Sequence, residues 1–401
     1  MRFWDRLLCG WCSTVPNCSG RCPLPPAAGE NNFPGCRSGL AGEEGKIGMK
    51  PRERFLAAAK LGKPDLIPAA PYNGNFGAAL AGIPISLYNS DAGRMAEAHI
   101  RTWETLGHDV VVAQSDQYYI AEGYGCAIEQ PFDTTPHLVK PAVESLDQVD
   151  RLKLPDPYTD GRMPVYLDAV HKLRTHFGDE VAIRGPGTGP FSIASYLCGG
   201  TQQFLMDIAQ AETDEDPEAQ EKLFRVMDIA SDGLISFLKA VLEAGSDVAQ
   251  AGDSLASLSM ISPTIYEKYV FPYERKVFTA IEALAREKDA VTVLHICGDT
   301  RRILPLMAQT GADVLEIDAL VEMAEAKALT AGSVALMGNL DPTTVLLQGT
   351  PEEVRSRADH CLRSTQALDG GIILGSGCEV APRTPVANLK ALVEVAHTFC
   401  G

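Results

Sequence analysis

The chain has 401 residues, 45% of them hydrophobic and 22% charged, with a formal net charge of -17. An acidic globular composition without a basic stripe excludes nucleic acid as the partner, because a polyanion is held by clustered Lys and Arg. No apolar run approaches the roughly 18 residues that span a membrane, and the length suits either two or three domains or one α/β barrel.

Met1–Gly48 is rich in Cys, Gly and Pro and has neither helical nor strand periodicity; five of the 11 cysteines (Cys9, Cys12, Cys18, Cys22 and Cys36) fall there. Phe3 to Cys12 is broken by charges and too short for the apolar core of a signal peptide. Cys9-x-x-Cys12 with Cys18 and Cys22 is a weak metal pattern, since the second pair is spaced differently and no His is near. The segment reads as a disordered extension or as residues upstream of the natural start, with Met49-Lys50-Pro51-Arg52 opening the folded part. The other six cysteines show no disulfide spacing, which fits a reducing cytoplasm.

Beyond Met49, eight short apolar runs alternate with longer stretches of helical spacing. The runs are Leu66–Pro71, Asp109–Gln114, Val181–Gly185, Asp247–Ala251, Val291–Ile296, Asp313–Ile317, Ser333–Met337 and Gly371–Leu374. Amphipathic helices are expected over Glu218–Ala244, Ser262–Glu287, Pro351–Leu368 and Pro385–His397. Near-continuous apolar strands separated by helices imply a parallel sheet buried on both faces. Eight such units predict an α/β fold, a single (β/α)8 TIM barrel over 49–401, with an open doubly wound sheet as the alternative. Asp116 to Asp179 is a long connection, expected to form a β-hairpin and a lid over the barrel mouth. Gly185-Pro-Gly187-Thr188-Gly189-Pro-Phe191 leads from a strand into a helix, and free N–H groups at Gly187 and Thr188 suit an anionic group of a ligand or cofactor.

Polar residues gather just after the strands, where barrel enzymes place their chemistry. Asp253 and Asp318 are candidates to accept a proton or orient a ligand, with turn or helix-capping roles as the plain alternative; Glu122 and Tyr124 are weaker candidates. Cys126, Cys198, Cys361 and Cys400 read as structural. His295 and Cys297 stand apart, because turns do not call for them. Residues i and i+2 of a strand share a side, so this imidazole and thiol point together. Cys378 follows another strand end. One nitrogen and two sulfurs meeting at a point form a Zn2+ site with three protein ligands and one open position; the plain alternative is ordinary buried Cys and His at strand ends.

Several stretches resemble the uroporphyrinogen decarboxylase superfamily, and within it the corrinoid-dependent methyltransferases. They are Arg52–Ala70 (RERFLAAAKLGKPDLIPAA), Gly189–Gly200 (GPFSIASYLCGG), His295–Asp299 (HICGD), Met337–Gly349 (MGNLDPTTVLLQG) and Gly375–Asn388 (GSGCEVAPRTPVAN). The resemblance implies a (β/α)8 barrel and a zinc triad of His295, Cys297 and Cys378. It further implies methyl transfer between a corrinoid (methylcobalamin or a methyl-corrinoid protein) and a thiol such as coenzyme M. Decarboxylases of the superfamily are expected to carry arginines after the first strand, whereas Pro71-Tyr72-Asn73-Gly74-Asn75-Phe76 has none. No Asp-x-His-x-x-Gly corrinoid-ligand motif occurs, so the cobalt cofactor is expected free or on a separate corrinoid protein. The alternatives are a corrinoid-dependent demethylase of an O-, N- or S-methyl compound, a decarboxylase, and a non-catalytic zinc-binding barrel.

Overall fold

The computed structural model describes residues 48–401, so the N-terminal cysteine pattern lies outside the described residues. Eight parallel strands form one sheet: β1 (Ala69–Ala70), β2 (Val110–Val112), β3 (Ala182–Gly185), β4 (Val248–Gly252), β5 (Val291–Ile296), β6 (Val314–Ile317), β7 (Ala335–Leu340) and β8 (Ile372–Ser376). Their order around the sheet is β1-β8-β7-β6-β5-β4-β3-β2. Every expected run overlaps one of these strands, and β4, β7 and β8 continue one to three residues past the run toward the mouth. Between β1 and β2 the ring is drawn together by the Asp109 N–H donating to Ala69 O (2.9 Å), while the Asp109 carboxylate accepts from Ala69 N–H (2.7 Å). This near-closed (β/α)8 barrel is built from the elements that the apolar runs predicted.

Helix α1 (Pro51–Ala59) lies across the amino-terminal end of the barrel, and the outer layer comprises α2 (Gly74–Ala81), α3 (Ala92–Leu106), α4 (Met163–Phe177), α5 (Pro190–Leu197), α6 (Thr201–Thr213), α7 (Pro217–Glu243), α8 (Phe271–Glu287), α9 (Pro351–Ser364) and α10 (Val386–Thr398), with shorter turns between. Local chemistry fixes their starts. Asp216 caps α7 by accepting from Glu218 and Ala219 N–H, with Pro217 in the first turn; Thr350 and Glu353 form a capping box on α9. No helix among the described residues is long and apolar enough to cross a membrane.

Two expectations are corrected. The stretch Asp116–Asp179 does hold a hairpin, Ala127–Glu129 against His137–Lys140, but it also holds the 15-residue α4. Its buried Met163, Tyr166, Leu167, Val170, Leu173 and Phe177 recur at helical spacing, so the signal lay in the sequence behind the Pro-rich approach. The continuous helix expected over Ser262–Glu287 is broken into a short turn, a π-helical stretch at Tyr266–Val270 and α8. Pro272 has no N–H to continue the ladder there, and the wider turn absorbs the lost bond.

Strand alternation sorts the core into two. Ala182, Val248, Val291, Val293, Val314, Ala335, Met337 and Ile373 fill the barrel interior, plugged at its amino-terminal end by Phe55, Leu56, Ala58 and Ala59 of α1. Ile183, Ala249, Leu294, Leu315 and Leu336 face the helices. Aspartates at strand starts staple neighbours. Asp109 accepts from Ala69, Asp247 from Ile183 N–H (2.8 Å), and Asp313 from Thr292 N–H (2.7 Å). The Asp109 carboxylate also receives Arg54 (2.6 Å) and faces His397 (2.8 Å), while Asp247 pairs with Arg52 (2.7 Å) and Arg174. At the mouth, Tyr88 donates to Gln114 O (2.6 Å) and meets His99 Nε2 (2.7 Å), pinning the end of β2 beneath the site.

Removing one member of a buried ion pair leaves an unmatched charge, so Asp109→Ala is expected to destabilise the fold by about 3–5 kcal/mol in urea denaturation. A second outcome concerns pH. Burial lowers His99 to about 3 and His108 to about 4 from an ordinary value of 6.5. A folded-state value below the unfolded one means that the unfolded chain binds more protons, so stability is full above pH 6.5 and drains away as pH falls. At pH 5 each should cost on the order of 2 kcal/mol, read as a shift in urea midpoint that His99→Phe reduces.

Candidate metal centre

Each strand column runs from apolar to polar toward the mouth. In β5 the inward side chains are Val291, Val293 and His295, and the same side continues to Cys297 in the loop beyond. His295 Nε2 lies 3.0 Å from Cys297 Sγ, and that sulfur lies 3.3 Å from Cys378 Sγ. One ligand atom from each residue falls within 4.8 Å of the others, and no other such cluster occurs among the described residues. Cys378 arrives from β8. It can come this close because Gly377 packs on the turn after β6, where a Cβ would stand 2.6 Å from Ala319 N. A larger residue at 377 would push the sulfur away from its partners.

The two thiols are unequal. A hydrogen bond from Cys378 holds the Cys297 thiol below its ordinary value, against the upward push of burial; Ser254 Oγ, 3.4 Å away, helps. Cys378, the donor to that bond, is pushed well up. Cys297 therefore ionises first, with Cys378 as its proton-bearing neighbour. Tetrahedral Zn–S bonds of about 2.3 Å place two sulfurs about 3.8 Å apart, so an ion would spread the pair by about half an ångström. Two sulfurs and an imidazole are the donor set that Zn2+ accepts, and the three residues fit it.

Behind the triad lies a buried ion pair. Arg184 of β3 donates through Nη1 and Nη2 to the two oxygens of Glu316 in β6, at 2.7 and 2.6 Å, and through Nε to Gln250 in β4 at 2.6 Å. Both charged residues are essentially inaccessible. Glu316 Oε2 also stands 3.1 Å from His295 Nδ1, too oblique for a hydrogen bond, so the contact is electrostatic. Burial alone would raise the Glu316 carboxyl, but the charges of Arg184 and His295 hold it down at about 2. Tyr72 completes the wall, with the Arg184 guanidinium 4.5 Å over its ring and its edge toward His295.

The other expected site residues are distributed as follows. Asp253 is fully buried and gives both oxygens to the start of α5, accepting from Phe191 N–H (3.0 Å), Ser192 N–H (2.7 Å) and the Ser192 hydroxyl (2.7 Å). Burial raises it to about 6 in spite of those bonds. The anion at this helix start is thus the protein's own carboxylate, held by the N–H groups of Phe191 and Ser192 and not by those of Gly187 and Thr188. Gly187 serves close packing, since a Cβ there would stand 1.7 Å from Gln250 O; the Thr188 hydroxyl donates to Gln117 O (3.0 Å). Asp318 accepts from Leu320 N–H (3.0 Å) in a turn, and its charge bears on Cys297. Glu122 pairs with Arg162 (2.7 Å), and Tyr124 donates to Ile229 O (2.5 Å). Cys126, Cys198 and Cys361 are buried, with thiols pushed up to about 12 by desolvation, and Cys400 is exposed.

Sequence reasoning passed over Arg184 and Glu316. Their signal was an opposite pair of charges within the apolar runs Val181–Gly185 and Asp313–Ile317, at inward positions.

Comparison with known proteins is consistent with this geometry. The family profile described as "Uroporphyrinogen decarboxylase (URO-D)" matches residues 50–399. The methylcobamide:CoM methyltransferase MtbA of Methanosarcina mazei is 33% identical, covering 78% of this chain and 86% of that protein. The methylated-thiol–coenzyme M methyltransferase of the same organism is 29% identical, covering 86% and 88%. A solved structure, a methyltransferase from Methanosarcina mazei, superposes with a TM-score of 0.77 at 26% identity, covering 86% of this chain and 98% of that one.

Cys297→Ser is expected to abolish retention of zinc in a protein that still folds, measured by elemental analysis and circular dichroism. Glu316→Gln removes the charge that faces His295 and leaves Arg184 without its counter-ion, so it should destabilise the fold by about 3–5 kcal/mol and, in the protein that remains folded, weaken zinc binding about 10–100-fold in chelator competition.

Proposed function

Because the chain belongs to the uroporphyrinogen decarboxylase family, in its corrinoid-dependent methyltransferase branch, we propose that it moves a methyl group between a corrinoid and a small thiol at the His295–Cys297–Cys378 centre. The observation that carries this reading is the convergence of one imidazole and two sulfurs at the carboxyl-terminal mouth of the barrel. A Zn2+ ion held there supplies positive charge that keeps a substrate thiol ionised at neutral pH, where a free thiol near pKa 8.5 is mostly protonated. The corrinoid, carried by a separate protein or free as methylcobalamin, supplies the reactive methyl.

The chain's own residues do the remaining work. His295 presents Nε2 to the centre, with its other nitrogen facing Glu316, so the ring is held in one orientation. Three protein donors leave room for the substrate sulfur, where four would close the site. Asp318 sits close enough for its charge to bear on Cys297, and is the group we assign to receive the incoming thiol proton. The role of Asp253 is to hold α5 under the mouth, which fixes the wall behind Ser254.

Similarity to a methylated-thiol–coenzyme M methyltransferase favours a second reading, in which the same centre takes the methyl from a methylated thiol. The decarboxylase reading is disfavoured. A polycarboxylate substrate needs free cations, yet the two buried arginines beside the mouth already face Glu316, and Asp116 with Glu122.

With zinc-loaded protein, methylcobalamin and a panel of thiols, loss of the methyl-cobalt absorbance is expected with at least one thiol. Cys297→Ser and Cys378→Ser should reduce the rate to that of the protein-free control. Uroporphyrinogen should remain unchanged under the same conditions, and product formation from it would replace this reading.

A further inference from the structure

We propose that Ser254 donates a directed hydrogen bond to the Cys297 sulfur, held in that polarity by Gln117 and Tyr196, and so sets how much charge this ligand gives the metal. The inference rests on the reading of the triad as a metal centre.

Four groups stand in sequence. Tyr196 Oη lies 2.9 Å from Gln117 Oε1, Gln117 Nε2 lies 3.1 Å from Ser254 Oγ, and Ser254 Oγ lies 3.4 Å from Cys297 Sγ. They come from the β2 loop, α5, the β4 loop and the β5 loop, so only the closed barrel assembles them. The polarity follows from the donor inventory. A phenol that donates to Gln117 Oε1 leaves the amide NH2 facing Ser254. Ser254 Oγ then accepts from nitrogen, and its single proton is free for sulfur. A thiolate cannot donate, so the hydroxyl must. Gln117 is itself fixed: its backbone carbonyl accepts from the Thr188 hydroxyl (3.0 Å), and Tyr196 packs on Tyr118 with ring centres 4.8 Å apart. Such a hydrogen bond withdraws charge from the sulfur and leaves the metal more electrophilic toward a substrate thiol. Ser254 is in this sense a positioning residue that acts through Cys297.

Cobalt(II) in place of zinc reports directly on the sulfur through its thiolate-to-metal charge-transfer band. In the full-length protein, Ser254→Ala should shift this band to longer wavelength, because a sulfur with one hydrogen bond fewer is easier to oxidise. Ser254→Thr, which keeps the hydroxyl, should restore the wild-type position. Gln117→Leu, which leaves the hydroxyl without its orienting amide, should shift the band in the same direction by less, and serves as the readout if Ser254→Ala fails to hold cobalt. A wild-type protein without the band overturns the metal-centre reading itself. A band that Ser254→Ala and Gln117→Leu both leave in place overturns the relay while the centre stands.

Discussion

The buried pair of Arg184 and Glu316 is the interaction around which the site is arranged. Two full charges stand inside a barrel whose lower half is valine, alanine and methionine, so neither is tolerable without the other. The guanidinium matches the carboxylate with two parallel hydrogen bonds and uses its remaining Nε on Gln250, which leaves Arg184 with partners on every side. That engagement spans β3, β4 and β6. It therefore fixes three strands against each other at the height where His295 emerges from β5. An apolar replacement could fill the same volume, but it would leave nothing charged beside the His295 ring.

Strand register translates this anchoring into a site. Glu316 stands opposite His295 in the β5–β6 ladder, and Gly252 stands opposite His295 on the other side. The position two residues beyond His295 must then face inward, which sets Cys297. β8 delivers Cys378 from across the mouth, and the absence of a side chain at Gly377 decides how near its sulfur can come. At the opposite end of the barrel, Asp109, Asp247 and Asp313 reach to the N–H of a preceding strand. These staples resist a slip of register, and a slip of one residue would turn every inward group out.

The two cysteines differ in role although their chemistry is the same. Cys297 collects hydrogen bonds from Cys378 and stands beside the Ser254 hydroxyl, while Cys378 acts as donor. Of the two, Cys297 gives up its proton more readily, and Cys378 is the sulfur that holds on to its own. Asp253, a candidate proton acceptor by sequence, is engaged with the start of α5. Its oxygens hold a wall of the site and do not reach the sulfurs.

Much of this was legible in the sequence. Apolar runs with β-branched residues marked all eight strands, because a strand buried on both faces must be hydrophobic throughout, and the i, i+2 spacing of His295 and Cys297 fixed their shared direction. Cys378 was identified by its place after another strand end and by the family resemblance, since its distance in the chain says nothing about its distance in space. Helix α4 was hidden behind prolines although its apolar spacing was regular. What only the tertiary structure decided were the partnerships. Arg184 with Glu316, Asp253 with α5, and Ser254 with Cys297 each join residues dozens of positions apart. Residue type can state that a buried charge needs a partner, but which partner it finds depends on how the ring of strands closes.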